Sequence, residues 1–188
     1  MTRVIFYTAS TLDGFLADDH DSLDWLFAVE GGDGGGEGFT SFLDLIGVLV
    51  QGSSTYEWVL KHEDLLAHPE KWPAYYGARP TFVFTTRELP LVPGADVRLV
   101  RGDAADAWPD IEAAADGRDV WLVGGGDLAG QFADAGLLDE LRISLAPATL
   151  GSGKPLLPRR LGADRLRLES MNQAGQFAEL VYSVRRTT

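Results

Sequence analysis

The 188-residue chain contains no cysteine. That absence excludes disulfides, cysteine-ligated zinc, iron–sulfur clusters and thiol nucleophiles together, and it fits a reducing cytoplasm. Positive charge is scarce: 16 Lys+Arg stand against 28 Asp+Glu, a net charge of −12. A surface of that sign repels phosphate backbones and anionic lipid, so neither nucleic acid nor a membrane is the expected partner. The scarcity is also local, because no Lys or Arg occurs from Val4 to Ser54. No stretch approaches the ~18–20 apolar residues of a bilayer-spanning helix. Met1–Tyr7 runs straight into a strand-like segment, without the basic start and apolar stretch of a secretory signal. The expected setting is therefore cytoplasmic. The three histidines, His20, His62 and His68, lack metal-ligand spacing. Gly151-Ser-Gly-Lys154 lacks the full phosphate-binding P-loop pattern, and no Gly-x-Ser-x-Gly nucleophile elbow is present.

What is abundant is apolar residues (45 %) and glycine (22). The length suits one domain, expected over residues 1–188. Glycine clusters separate short β-branched or aromatic runs at Val4–Thr8, Val48–Gln51, Thr81–Thr85, Val97–Val100, Val120–Val123, Leu141–Leu145, Arg165–Glu169 and Phe177–Val184. These read as strands. Helical spacing lies between several of them, at Phe39–Ile46, Ala104–Ala115 and Leu128–Ala135, the last placing Leu128, Phe132 and Ala135 on one face. The alternation predicts an α/β fold with a mixed, mostly parallel central sheet flanked by helices. Only Asn172–Gly175 separates the last two strands, which predicts an antiparallel C-terminal hairpin. Gly31–Gly38, with six glycines, is expected to be a loop, either a lid or a plain connection.

Three strand ends carry the residues suited to ligand chemistry. Val120–Val123 runs into Gly124-Gly125-Gly126-Asp127-Leu128, where a helix pattern starts at once. Glycines there let backbone N–H groups approach a pyrophosphate, and the helix N-terminus favours negative charge. The Gly124-x-Gly126-x-x-Ala129 spacing lacks the acidic residue of a standard Rossmann unit, so the turn reads as anion-binding, the alternative being a glycine turn needed only for tight packing. Gly52-Ser53-Ser54-Thr55 is a second such turn, whose hydroxyls can cap a helix or hold a phosphate. Thr85-Thr86-Arg87 is the third and brings a cation. Together they define a candidate site at the carboxyl edge of the sheet.

The order of motifs then carries a resemblance. Ser10-Thr11-Leu12-Asp13-Gly14-Phe15-Leu16-Ala17, Asp24-Trp25-Leu26, Gly52–Glu57 (G-x-x-T-Y-E), Leu122–Leu128 (L-V-G-G-G-x-L) and Leu145–Gly153 (L-A-P-x-x-L-G-x-G) follow one another along nearly the whole chain. In this the chain resembles the dihydrofolate reductase-like family, and within it the C-terminal reductase domain of the bifunctional riboflavin-biosynthesis deaminase/reductase (the RibD C-terminal domain). The resemblance implies a reductase using NADPH on a pterin-like or flavin-precursor-like heterocycle, of the 5-amino-6-(5-phosphoribosylamino)uracil reductase type. It implies that Ala9, Leu16 and Ala17 lie beside the nicotinamide, with Leu12, Asp13, Gly14, Phe15 and Trp25 at the substrate. It further implies that Gly52, Ser53, Ser54, Thr55, Thr85, Thr86 and Arg87 hold adenosine phosphates and ribose, and that Gly124–Gly126, Asp127 and Leu128 lie on the pyrophosphate. It also implies a homodimer.

Two positions depart from the family pattern. The turn at Gly52–Thr55 lacks the usual arginine, leaving Arg87 as the candidate partner of a 2′-phosphate and NADPH as the expected cofactor. The cation-free stretch from Val4 to Ser54 disfavours a phosphorylated substrate unless Lys61, Lys154 or Arg159 reaches in. For the catalytic acid, Asp24 is the candidate, since Trp25 beside it could desolvate the carboxyl group; the alternative is a helix-capping role. Asp44 is expected on a solvated helix face. The competing functions are a non-catalytic nucleotide or small-molecule binding module on the same fold, and a dihydrofolate reductase proper.

Overall fold

The computed structural model describes residues 1–30 and 37–185. In chain order its elements begin with β1 (Val4–Thr11), β2 (Phe15–Ala17), α1 (Asp24–Phe27), α2 (Glu37–Leu45) and β3 (Ile46–Gly52). Then come α3 (Ser53–His62), a 3-10 turn at Pro69–Lys71, α4 (Trp72–Tyr76), β4 (Thr81–Phe84) and β5 (Val97–Val100). The chain ends with α5 (Ala104–Ala115), β6 (Asp119–Gly124), α6 (Gly126–Asp134), β7 (Glu140–Ala146), β8 (Lys154–Pro155), β9 (Leu166–Ala174) and β10 (Phe177–Val184).

Eight strands form one sheet in the order β5-β4-β3-β6-β1-β7-β10-β9. The six from β5 to β7 pair in parallel, and β10 and β9 complete the sheet antiparallel. The central strands read as unbroken apolar runs because both faces of the sheet are covered. On β1, Val4 and Phe6 enter one core while Ile5 enters the other, and all three are fully buried. The first core packs Val48, Val50, Val120 and Leu122 beneath α5 and α6. The second packs Ile5, Leu49 and Trp121 beneath α2, α3 and α4, with Trp72 and Tyr56 as its largest members. Burial inside that core pushes the Tyr76 phenol well above its ordinary pKa, so it stays neutral.

Local chemistry sets the helix ends. Asp103 caps α5, its carboxylate accepting from the Asp106 N–H at 2.9 Å. Arg79 satisfies carbonyls at the end of α2, donating to Leu43 O at 2.7 Å and Ile46 O at 2.9 Å. On α6, Leu128 and Phe132 are buried as the periodicity predicts, whereas Ala135 is exposed because it closes the helix as its C-cap.

The hairpin is tighter than expected. β9 continues through Asn172–Ala174, leaving Gly175 and Gln176 as the turn, with Gly175 at φ +58°. The expected loop at Gly31–Gly38 falls largely outside the described residues, but α2 already includes Gly38. The β2–β8 pair is an addition, two short strands that meet although some 137 positions apart.

Candidate active site

β1, β3, β4 and β6 end side by side, and a cleft of about 480 Å3 opens over their carboxyl ends. Its phosphate-sized half is built by two strand-to-helix turns. Gly52 precedes α3 and Gly125 precedes α6, each as an N-cap with no side-chain hydrogen bond to the helix. The turns abut, since a Cβ on Gly52 would lie 3.5 Å from the Gly125 nitrogen. Two helix N-termini thus aim uncapped N–H groups at one place, each carrying about half a positive charge. The Ser53, Ser54 and Thr55 hydroxyl-bearing residues line the same wall.

The glycines in the second turn serve different ends. A Cβ on Gly126 would meet the carbonyl oxygens of Pro155 and Leu156 at 2.3 and 2.4 Å, so the protein's own packing requires glycine there. A Cβ on Gly125 would meet nothing within 4 Å. Packing leaves that space open, and Gly125 lines the cleft beside both turns. Such a cradle fits the pyrophosphate of a dinucleotide.

The other half of the cleft is apolar and aromatic. Ala9 from β1, Leu16 and Ala17 from β2, and Leu23, Trp25 and Leu26 around α1 line it, facing Trp58 of α3 and Val123 of β6. A four-residue helix has little stability alone. Here Phe27 holds α1 to α3 by stacking on His62 (ring centroids 5.2 Å apart) and Trp58 (6.2 Å), while His62 stacks on Trp58 at 4.3 Å. The Trp25 Nε1–H is buried with no acceptor among the described residues.

Other sequence-predicted residues take different places. Asp24 is exposed, not desolvated by Trp25. Consecutive residues on a helix point about 100° apart, so Trp25 turns to the cleft while Asp24, in the first turn, faces solvent. Asp44 is exposed on α2 as expected. Leu12, Asp13, Gly14 and Phe15 do not line the cleft. Leu12 is 65 % exposed, Gly14 is the turn glycine at φ +86°, and Asp13 has a structural job. Its carboxylate accepts from the Thr11 hydroxyl at 2.6 Å and from the Gly151 and Leu150 N–H groups at 2.7 and 3.1 Å. These donors hold its pKa below the usual carboxylate range, the Thr11 hydroxyl foremost. Asp18 is held low in the same way, chiefly by the Ser22 N–H.

Thr85, Thr86 and Arg87 also lie outside the cleft lining, where their strand contributes Phe84 instead. Thr85 is buried and its hydroxyl accepts from the Arg87 N–H at 3.0 Å. The Arg87 guanidinium forms a two-pronged pair with Glu57 on α3, at 2.9 and 2.5 Å. Asp127 lines the cleft, but Arg159 and Gln131 both donate to its carboxylate at 3.1 Å. Trp58 and Pro155 join the lining without having been singled out for it. Trp58 sits three residues beyond Thr55, the spacing that puts both on one helix face. Lys154 and Pro155 arrive through the β2–β8 pairing, a long-range contact with no local signal.

A parallel sheet with an antiparallel end, helices on both faces and a cleft over the β1, β3 and β6 ends make up the dihydrofolate reductase-like fold. Within it, the chain belongs to the RibD C-terminal domain family, which it matches over residues 2–178. It is 27 % identical over 180 residues to the uncharacterized protein YwjB of Bacillus subtilis (strain 168), covering 96 % of this chain and 97 % of that one. The crystal structure of a "Putative riboflavin biosynthesis protein" from Shewanella sp. PV-4 superposes with a TM-score of 0.77 at 26 % identity, covering 99 % of this chain and all of that one. Dihydrofolate reductase from Enterococcus faecalis, complexed with NADP(H), shares the fold at a TM-score of 0.60 and 12 % identity, covering 99 % of this chain and 97 % of that one.

Proposed function

We propose that this protein is an NADPH-dependent reductase of a small heterocycle. The observation that carries the reading is the convergence of two uncapped helix N-termini on the open cradle at Gly125. Family membership and the NADP(H) complex of the fold neighbour support it. In this reading Gly52–Thr55 and Gly124–Leu128 hold the pyrophosphate, and Ala9, Leu16 and Ala17 border the nicotinamide. When bound, the reduced nicotinamide supplies a hydride to the carbon of a C=N bond, becoming the oxidised ring while the nitrogen takes up a proton. Among the described residues the carboxylates lining the cleft are Asp21 and Asp127, each in an ion pair and exposed. The proton in this reading therefore comes from solvent water, and the chain's own residues orient the two rings. Recognition of the 2′-phosphate falls to Arg87 after exchange of its Glu57 partner.

Calorimetric titration with NADPH and NADH at matched ionic strength tests this. NADPH is expected to bind with micromolar affinity and about tenfold more tightly than NADH. Equal affinities would remove Arg87 from recognition, and binding of neither would remove the reductase. The exposure of Asp24 favours one alternative, a module on this fold that binds the dinucleotide without turnover. It predicts cofactor binding with no NADPH oxidation across folates, pterins and ribitylated pyrimidines.

A further inference from the structure

The cleft wall beyond the nicotinamide position has a definite electrical character. Lys61 does not line the cleft, and Arg159 is held on α6 by Asp127 and by Asp134, the latter at 2.6 Å. Lys154 does line it, but its ammonium faces the Asp21 carboxylate at 3.6 Å. Around α1 and β2 stand Asp18, Asp19 and Asp24, with His20 the one other basic side chain of the segment. Asp18 accepts from the His20 and Ser22 N–H groups and Asp19 from the Ser152 hydroxyl. Among the described residues no arginine lines the cleft, and the N-terminus of α1 carries Asp24 in its first turn. Of the features that hold a phosphate, a guanidinium fork is missing from the described lining and the free helix N-termini are at the opposite half. What the near half offers is indole and aliphatic surface from Trp25, Trp58, Leu23 and Leu26, with the buried Trp25 Nε1–H as an unmatched donor.

We infer that the substrate of this cleft is an uncharged planar heterocycle without a phosphate group, packed against the Trp25 and Trp58 indoles. This rests on the reductase reading of the same cleft. It separates this chain from a reductase whose substrate carries a ribose phosphate. A phosphate monoester brings a charge of about −1.5 to −2 at pH 7. Here it would meet the Asp21 carboxylate on the cleft wall, whose neighbouring cation, Lys154, is already paired with it, and Asp18, Asp19 and Asp24 in the surrounding segment.

Riboflavin and FMN share one planar ring and differ by a phosphate, so they form a matched probe pair. The protein is first titrated with NADP+, which binds without supplying hydride, and the two flavins are then titrated by fluorescence into the NADP+-saturated protein. Riboflavin is expected to bind at least about tenfold more tightly than FMN, a gap that narrows as salt screens the carboxylates. The Asp21→Asn variant frees Lys154 and is expected to improve FMN about threefold relative to riboflavin. Asn suits this position, where Asp21 adopts φ +62°. FMN binding equal to or tighter than riboflavin, or no binding of either flavin, overturns the inference. So does a riboflavin-to-FMN ratio indifferent to Asp21→Asn. If NADP+ itself does not bind, the reductase reading falls separately, and the same flavin pair titrated into the protein alone still decides the charge claim.

Discussion

Asp13 shows how a turn residue close to the cleft can serve the fold. Its one carboxylate gathers a hydroxyl from β1 and two N–H groups from the loop at Leu150 and Gly151, tying together segments about 137 residues apart. The tie anchors the loop whose continuation, β8, pairs with β2 and completes the cleft wall. These hydrogen bonds favour the ionised form, so the folded-state pKa lies below the unfolded value of about 3.9. The stabilisation is then complete above that value and is lost as pH falls through the folded pKa. Asp13→Asn is expected to lower the melting temperature by about 1–3 °C at pH 7, measured by differential scanning calorimetry. The difference from the unaltered protein should shrink below about pH 4. A deficit that persists undiminished at pH 3 would assign the effect to shape rather than to charge.

The glycine turn before α6 separates two demands that sequence alone merges. Gly126 is enclosed by the Pro155 and Leu156 carbonyls, while the Cβ position at Gly125 is empty. Gly126→Ala forces backbone atoms apart and is expected to cost about 2–4 kcal/mol in denaturant unfolding. Gly125→Ala should leave stability within about 1 kcal/mol yet weaken dinucleotide binding at least about tenfold, because its methyl group occupies the cradle. Equal losses of stability in the two variants would mean that the Gly125 space is not a ligand space. The parallel strands, α5 and both glycine turns are legible in the chain because periodicity and glycine placement are local signals. The direction of Asp24, the pairing of Arg87 with Glu57 and the arrival of Lys154 are not. Each depends on a partner distant in sequence or on the rotation of a very short helix.

Across the whole molecule, the proposed anion-binding cradle sits in a strongly anionic protein. The net charge is −12, and a dinucleotide phosphate is itself polyanionic. Approach from bulk solvent would therefore meet repulsion, whereas in the proposed reading the final contacts are hydrogen bonds from two helix N-termini over a few ångströms. Salt acts unequally on the two, since screening at ~0.15 M removes interactions beyond about 8 Å and spares those at contact. The association rate of NADPH is accordingly expected to rise with ionic strength, by about two- to fivefold between 0.02 and 0.3 M NaCl, with a smaller change in the dissociation rate. Trp25 and Trp58 line the cleft, so stopped-flow quenching of tryptophan fluorescence reports the step directly. An association rate that falls with salt would mean that a local positive field outweighs the global charge. Since Lys154, Arg87 and Arg159 are each already paired with a carboxylate, such a field would point to the helix ends. Gly125→Ala, which fills the cradle without touching a charged group, should then leave the salt slope of the association rate unchanged while raising the dissociation rate.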